Sequence, residues 1–342
     1  VKELLAIQEK IFPDILDVMQ RRYKILHYIK MMQPIGRRSL ADFVEMKERV
    51  VRGEIDFLHD HGFIAVTAKG MKLTPEGLRM SEELSTFINE ISKFRVLESQ
   101  IKDKLQLEHV IVIPGNSDAH ETVKEQLGKA CVQYLSSILS AEQTVAITGG
   151  TTMSEVANMM TPLAHAKNCT FVPARGGLGE QVENQANTIC AEMAKKANGK
   201  YRMLYVPDPL SEESYQTIKE EPAIKEIVEL IHDAAVVIHG IGDAVTMAER
   251  RKASSTVMRK IKDKHAVSEA FGYYLDKNGE VVHKVRTVGL QLDDLKNANK
   301  VITVAGGKSK TQAILSFFKQ AKSDVLITDE AAANQLLKGD SL

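Results

Sequence analysis

Cysteine is scarce and scattered in this chain: Cys131, Cys169 and Cys190 are the only three, and no two of them form a CxxC pair. Such spacing excludes a disulfide framework and points to a reducing compartment. Long apolar runs are missing too. None approaches the ~18 residues of a membrane span. The N-terminal residues alternate charged and apolar groups where a signal peptide needs an apolar core. The expectation is a soluble cytoplasmic protein without membrane contacts. Its start at Val1 implies that an initiator or leader is missing. Net charge is also absent, since 45 Lys and Arg balance 45 Asp and Glu over 342 residues. No global field therefore draws the chain to nucleic acid. No His, Cys and carboxylate groups stand at ligand spacing, so no metal and no cofactor are expected.

The nucleotide motifs are incomplete. A Walker loop needs glycine where Ile302 stands, so the Gly-Lys-Ser at 307–309 is a fragment. The run Gly240-Ile241-Gly242 carries Val245 at the third glycine position of a dinucleotide fingerprint, and Gly177-Leu178-Gly179 carries Val182 there. Neither NAD nor ATP is indicated.

What is present is a pair of glycine-rich turns, each entering a helix after a short apolar run. One is Thr148-Gly149-Gly150-Thr151-Thr152 and the other Gly306-Gly307-Lys308-Ser309-Lys310-Thr311. Free backbone N–H groups and the positive end of a helix dipole make such turns anion sites. Glycine allows close approach of a phosphate, and threonine hydroxyls add donors. Glycines that merely close tight turns would look similar, but two such turns in one domain predict a small ligand with two phosphates.

Charge is uneven locally. Between Gln20 and Lys72 eleven basic residues face six acidic ones, an excess of five. The same stretch reads as three helices and a hairpin. Ile15, Leu16, Met19, Ile25, Leu26, Ile29 and Met32 have helical spacing up to Pro34. Ser39 caps a short second helix at 40–44, and a third helix runs from about Lys47 to His61 with Val50, Ile55 and Leu58 inward. Gly62 stops it. Strands at 63–67 and 71–74 flank a tip at Ala68-Lys69-Gly70. That order is a winged helix-turn-helix over residues 1–77. Its third helix enters the major groove of double-stranded DNA. Lys47, Arg49 and Arg52 fall on the groove side, Arg37 and Arg38 suit phosphates just before the second helix, and Lys69 does so at the hairpin tip. A protein-binding winged helix with solvated arginines is the plainer alternative.

A long helix over 78–107 follows. Leu84, Phe87, Ile91, Phe94, Ile101 and Leu105 have heptad-like spacing, which predicts a homodimer seam, although one face packing on its own domain fits as well. From 108 to 342, seven short apolar strands alternate with helical stretches. They lie at 110–113, 144–148, 169–172, 202–206, 234–239, 301–305 and 324–328. The pattern predicts an α/β domain with a mainly parallel sheet. Ligands bind beyond the strand C-terminal ends of such sheets. The turns at 148–152, 173–177, 207–209, 240–243 and 306–311 should converge there. Arg175 brings the fork geometry that suits phosphate.

The chain resembles the SorC family of bacterial sugar-responsive transcription regulators almost end to end. The likeness is carried by PIGRRSL at 34–40, ERVVRGEIDFL at 48–58, TGGTT at 148–152, PARGGLGE at 173–180, ENQANTICAEMA at 183–194, HGIGDA at 239–244, EAFGYYLDKNGEVVHKV at 269–285 and VGLQLDDL at 288–295. The resemblance implies a winged-helix domain joined to an effector domain similar to sugar-phosphate isomerases and deaminases. It implies repression of glycolytic genes, relieved by fructose 1,6-bisphosphate, and a homo-oligomer, dimer or tetramer, on operator DNA. By position, Gly149, Gly150, Thr151 and Thr152 with Arg175 and Gly177 would hold one phosphate. Lys310 with Gly306, Gly307 and Arg250 would hold the other. Gln185 and Glu269 would read hydroxyls between them. In one respect the chain departs from the family: Phe43-Val44-Glu45-Met46 stands where a small polar helix cap is common. The alternative is a sugar-phosphate isomerase or deaminase drawing acid and base from Asp243, Glu269, His239 and His265. A protein-interaction scaffold is disfavoured by the two anion turns.

Overall fold

A computed structural model of the chain describes residues 13–91, 93–163, 167–177, 181–207 and 210–338. The chain divides into two compact units, one ending at Val96 and one starting at Leu97.

The first unit opens with helices α1 (Pro13–Met32), α2 (Arg37–Val44) and α3 (Glu48–Asp60), followed by strands β1 (Ile64–Thr67) and β2 (Gly70–Leu73) and helix α4 (Pro75–Ile91). The strands pair antiparallel, Ile64 opposite Leu73 and Thr67 opposite Gly70. The core gathers Ile25, Leu26 and Ile29 of α1, Leu40 and Val44 of α2, Val51, Ile55 and Leu58 of α3, and Ile64 and Met71 of the hairpin. The inward residue of the first turn of α3 is Val51, not Val50, which is 39% exposed. Positions 51, 55 and 58 keep the 4,3 spacing of a buried stripe, and position 50 falls off it.

Two helix starts also differ from expectation. Helix α2 begins at Arg37 behind Gly36, with Ser39 inside it. Arg37 and Arg38 therefore form its first turn. Helix α3 takes Lys47 as its cap, with no side-chain bond. The preceding turn is made instead by Glu45 in the left-handed region, φ 53°.

Helix α5 (Lys93–Leu105) follows α4, and residue 92 between them lies outside the described residues. Leu84 packs against the first core, while Leu97, Ile101 and Leu105 are buried in the chain. Of the expected seam positions, Ile101 and Leu105 are thus packed within the chain. The side chains of Phe87 and Ile91 lie outside the described residues.

The second unit continues with β3 (His109–Ile113), α6 (Glu121–Ile138), β4 (Thr144–Ile147), α7 (Thr151–Asn158), β5 (Thr170–Pro173), α8 (Ala186–Ala197), β6 (Lys200–Tyr201), α9 (Glu212–Ile218), α10 (Pro222–His232) and β7 (Val236–His239). Then come β8 (Gly242–Asp243), α11 (Ala244–Arg250), α12 (Ser255–Asp263), β9 (Ser268–Ala270), β10 (Tyr273–Leu275), β11 (Val281–Lys284), β12 (Lys300–Val304), α13 (Thr311–Gln320), β13 (Val325–Asp329) and α14 (Glu330–Lys338). Strands β3 to β7, β12 and β13 form one sheet in the order β3-β13-β12-β7-β4-β5-β6. Every pairing in it is parallel. The expected strand at 202–206 is displaced to Lys200–Tyr201, which pairs at the sheet edge with Thr170 and Phe171.

Helices α6, α7 and α8 press Leu127, Cys131, Met153, Val156, Ile189 and Met193 onto Val145, Ile147, Ile238, Ile302 and Ile327 of the sheet. All three cysteines are free and buried. Burial pushes the Cys131 thiol up to about 12, which keeps it unreactive.

A four-stranded antiparallel sheet, β11-β10-β9-β8, had no counterpart in the sequence reading. Its strands hold two to four residues each. Strands β9 and β10 are joined by Phe271 and Gly272, both at positive φ (51° and 83°), a two-residue hairpin turn of the primed kind. A separate small core lies beneath, from Ala244, Ala248, Ile261, Tyr274 and Val282.

Candidate effector site and nucleic-acid interface

In the parallel sheet the chain runs from β4 to β5 and β6 on one side, then returns through β7 and β12 on the other. Strands β4 and β7 are neighbours, so the crevice beyond their C-terminal ends is the topological switch point where such sheets bind ligands. A cleft lies there. Its lining includes Gly149, Gly150, Thr151 and Thr152 after β4, Arg175 after β5, Gly240 to Gly242 after β7, Arg250 and Arg251 at the end of α11, Glu269 of β9, and Lys310 after β12. Eight of the expected effector residues thus meet in one place: Gly149, Gly150, Thr151, Thr152, Arg175, Arg250, Glu269 and Lys310.

The first glycine turn leads directly into α7. Gly150 caps α7 at φ 115°, without a side-chain cap bond. Its own amide donates to the Asn184 carbonyl at 2.8 Å, which ties the loop down. The amides of the first helical turn have no intrahelical acceptor, so those of Thr151 and Thr152 open toward the cleft. A side chain on Gly149 would meet the Asn184 oxygen at 2.6 Å, which explains the second glycine.

The loop after β12 works differently. The Gly307 amide donates to Asp329 Oδ2 at 2.6 Å, and the Ser309 amide to Asp118 Oδ2 at 2.8 Å. Asp329 also accepts from the Ser117 amide and hydroxyl. Two carboxylates therefore hold the loop from behind; they take the Gly307 amide, and the loop brings the side chain of Lys310 to the cleft. Burial presses the Lys310 ammonium below its ordinary value, and nearby Lys124 and Arg250 press it further, against Asp118 and Asp329. A lysine so placed gains from an incoming anion.

Gly177 and Gln185 stand together outside the lining, the Gln185 amide oxygen 3.6 Å from where a Gly177 side chain would begin. Gln185 is the cap residue of α8 but makes no capping bond with its side chain. Residues 208 and 209, which the sequence reading placed in a rim turn, and residues 178–180 of the PARGGLGE stretch lie outside the described residues.

Arg175 is pinned through its backbone. It bridges Gly289 antiparallel, and Gly289 sits at φ 123° where a side chain would strike the Ala174 oxygen at 2.3 Å. Its guanidinium is buried, with Nη1 3.4 Å from Glu269 Oε1. The same oxygen accepts from Arg251 Nη2 and from the Gly272 amide, each at 2.8 Å. Burial pushes the Glu269 carboxyl up, but Arg251 and then Arg175 pull it down further, leaving it below its ordinary value. Sequence reasoning missed Arg251. Nothing in the Arg250-Arg251 dipeptide says which side chain turns inward; the end of α11 decides it, leaving Arg250 exposed and Arg251 8% exposed.

The acid–base candidates do not assemble. His239 is fully buried between Phe271 and Phe317, with Nδ1 3.0 Å from the Gly240 oxygen and Nε2 2.8 Å from Thr303 Oγ1. Burial lowers it to about 4, so it is a neutral structural group at pH 7. Asp243 caps α11 by accepting from the Thr246 amide, and His265 is exposed just beyond α12. A larger cavity of about 710 Å³ lies beside the small sheet, lined by Tyr215, Lys252, Val257, Lys284 and Arg286 among others. It touches the cleft residues only at Arg251 and gathers none of the strand-end turns.

On the first unit, Arg37, Arg38, Lys47, Arg49, Arg52 and Lys69 are all exposed. Arg49 and Arg52 share the outer face of α3. Lys69 sits at the tip of the hairpin, where the Thr67 hydroxyl accepts its amide and donates to the Gly70 carbonyl. Not all of the local basic excess is available. Arg21 and Arg22 each donate Nε to the buried Glu54 at 2.8 Å, and Arg22 covers the Phe57 ring at 3.5 Å. These two arginines fasten α3 to α1.

Comparison with known proteins agrees with both halves. Residues 89–338 match the family described as "Putative sugar-binding domain", and residues 18–88 match the "CggR N-terminal DNA binding domain". The chain is 51% identical over 339 residues to the central glycolytic genes regulator of Priestia megaterium, covering 99% of both chains. It is 46% identical over 340 residues to that of Bacillus subtilis, covering 99% of this chain and all of the relative. A crystal structure described as a "putative SorC family transcriptional regulator", from Enterococcus faecalis, is 44% identical with a TM-score of 0.67 and covers 70% of this chain and 99% of its own. The chain therefore belongs to the SorC family of transcription regulators, among the central glycolytic genes regulators, and is a regulator with a DNA-binding and a sugar-binding domain rather than an enzyme.

Proposed function

We propose that the protein is a repressor of glycolytic genes, acting in the cytoplasm as a homo-oligomer on double-stranded operator DNA, and that fructose 1,6-bisphosphate relieves the repression. In this reading residues 1–77 bind DNA, 78–107 link, and 108–342 sense the sugar. The observation that carries it is the convergence at one switch-point cleft of two separate groups of donors suited to phosphate. One is the α7 N-terminus with Arg175, and the other is Lys310 with Arg250. A single phosphate needs only one of them. Glu269 lies between as an acceptor for hydroxyls, with Gln185 near the first group.

The cleft encloses about 90 Å³, below the roughly 300 Å³ of typical small-ligand sites. A sugar bisphosphate must widen it. Met247, whose flexible side chain packs over Gly242, is the part best able to move. Widening driven by ligand is the kind of change that can be passed to a DNA-binding domain.

A DNA-shift titration at fixed salt, with fructose 1,6-bisphosphate or fructose 6-phosphate, tests the proposal. The bisphosphate is expected to weaken operator binding, and to raise the unfolding temperature by the linkage term RT ln(1+[L]/Kd) far more than the monophosphate does. Equal effects of the two sugars would sink the two-phosphate reading. No effect of either would sink the effector reading.

A further inference from the structure

Among the described residues, Glu269 is the single carboxylate lining a cleft that also holds Arg175, Arg250, Arg251 and Lys310. Its surroundings are asymmetric. Arg251 meets it at 2.8 Å and Arg175 at 3.4 Å. Arg251 is held at its other nitrogen too, Nη1 donating to the Tyr274 hydroxyl at 2.8 Å, and its side chain is 3% exposed. Tyr274 is in turn buried in the small sheet. Arg251 thus has both forks committed to protein groups on rigid strands, whereas the longer Arg175 contact can be exchanged for a phosphate.

We propose that Arg251 is a positioning and specificity-determining residue of the effector cleft: it fixes Glu269 as a charged acceptor, so that the cleft takes a phosphorylated polyol and rejects a phosphorylated carboxylate. The inference rests on the effector reading above and goes beyond it by naming what excludes the wrong ligands.

The chemistry follows from donor and acceptor counts. An ionised carboxylate accepts only. Sugar hydroxyls between two phosphates supply donors for it. A ligand carboxylate at the same point brings an acceptor to an acceptor and a like charge to a like charge, which is a repulsive element of specificity. The discrimination lasts only while Glu269 stays ionised inside a buried site. Without Arg251, burial favours the protonated acid. A protonated Glu269 donates a hydrogen bond and tolerates the ligand carboxylate.

The test uses the full chain, its Arg251→Gln and Arg251→Lys variants, and calorimetric titration with fructose 1,6-bisphosphate and 2,3-bisphosphoglycerate from pH 5.5 to 8. The parent should prefer the sugar at every pH. In Arg251→Gln, affinity for the phosphoglycerate should rise as pH falls, by up to about tenfold per pH unit, and the preference should collapse. Arg251→Lys should restore part of it. In a Glu269→Gln background, Arg251→Gln should change the preference no further, since the two act through one interaction. Carbon-13 NMR titration of the ligand-free chain should find the Glu269 carboxyl protonating at higher pH in Arg251→Gln than in the parent. Preference and titration unmoved by either Arg251 substitution would overturn the proposal. If the parent binds neither ligand, the effector reading fails, and the NMR titration still decides whether Arg251 governs Glu269.

Discussion

Arg49 and Arg52 lie three residues apart on the exposed side of α3, one turn from each other and away from the Val51–Ile55–Leu58 stripe. An arginine in that position reaches a guanine edge with two donors, worth roughly 1–3 kcal/mol of discrimination. Arg49→Ala and Arg52→Ala are each expected to weaken operator binding in a shift assay, with relaxed preference at one base position. Lys69 touches only backbone in this reading. Lys69→Ala should weaken specific and non-specific DNA alike and reduce the salt slope by about one unit. Arg21 and Arg22 serve as internal comparison: their substitution should lower stability through Glu54 before it alters sequence preference. Operator binding indistinguishable from the parent in both α3 variants would remove this face as the reader.

His239 carries a different residue-scale expectation. Its folded pKa is depressed from 6.5 to about 4 by burial. The unfolded chain therefore binds a proton that the folded chain refuses between these values. The stability it contributes is full above about pH 6.5 and is lost as pH falls toward 4, by about 3 kcal/mol in all. Chemical denaturation at several pH values should give a shallower acid limb for His239→Gln than for the parent. Parallel limbs would mean that the imidazole is reached by solvent.

At the scale of elements, α3 is governed by burial more than by propensity. Ile55 is fully buried and Val50 is 39% exposed. Ile55→Ala should cost about 2–5 kcal/mol by loss of packing and a residual cavity, whereas Val50→Ala should stay within about 0.5 kcal/mol. Urea midpoints with unchanged slopes would measure both, and a large effect at Val50 would mean that something covers it.

That contrast also locates what a sequence can and cannot reveal. The order of elements in the winged helix was legible because helix and strand periodicities differ. The phase of α3 was not: Val50 and Val51 are adjacent valines, and only packing against α1 and α2 chooses between them. The parallel strands were legible as apolar runs ending in glycine turns. Strands β8 to β11 were not, because runs of two to four residues carry no period. Within the site, both glycine turns were recognisable, yet they work differently. After β4 the amides of Thr151 and Thr152 meet no cap side chain, because Gly150 has none. After β12 the amides of Gly307 and Ser309 are taken by Asp329 and Asp118, which lie 22 and 191 residues from the groups they hold. Partners at such separations leave no local pattern. Arg251 was hidden for the same reason, since its partners Glu269 and Tyr274 arrive with the small sheet.

In the proposed reading a sugar cleft on one unit alters DNA binding by the other. The proposed effector residues fall in the unit that starts at Leu97 and the proposed DNA residues in the unit that ends at Val96. Coupling must then run through an equilibrium between arrangements that both ligands bias. A ligand shifts that equilibrium only by its differential affinity for the two states. Removing phosphate contacts removes the difference without touching the DNA surface. Thr152→Ala, Arg175→Ala and Lys310→Ala should each keep operator affinity in the absence of sugar and lose the response to fructose 1,6-bisphosphate. The three need not be equal. Burial, with Lys124 and Arg250 nearby, holds the Lys310 ammonium below its ordinary value, a cost that an incoming phosphate relieves, so its loss should right-shift the response. Arg175 also contacts Glu269, so its removal should additionally disturb the hydroxyl reader. Prolonged incubation of the parent with the bisphosphate should return the sugar unchanged, since His239 is neutral and enclosed and no acid–base pair faces the cleft among the described residues. Steady conversion abolished by Glu269→Gln would mean turnover at this cleft. Loss of operator binding in all three variants without sugar would mean that these residues hold the DNA-competent arrangement itself, and the coupling would have to be rewritten with the empty cleft as its driver.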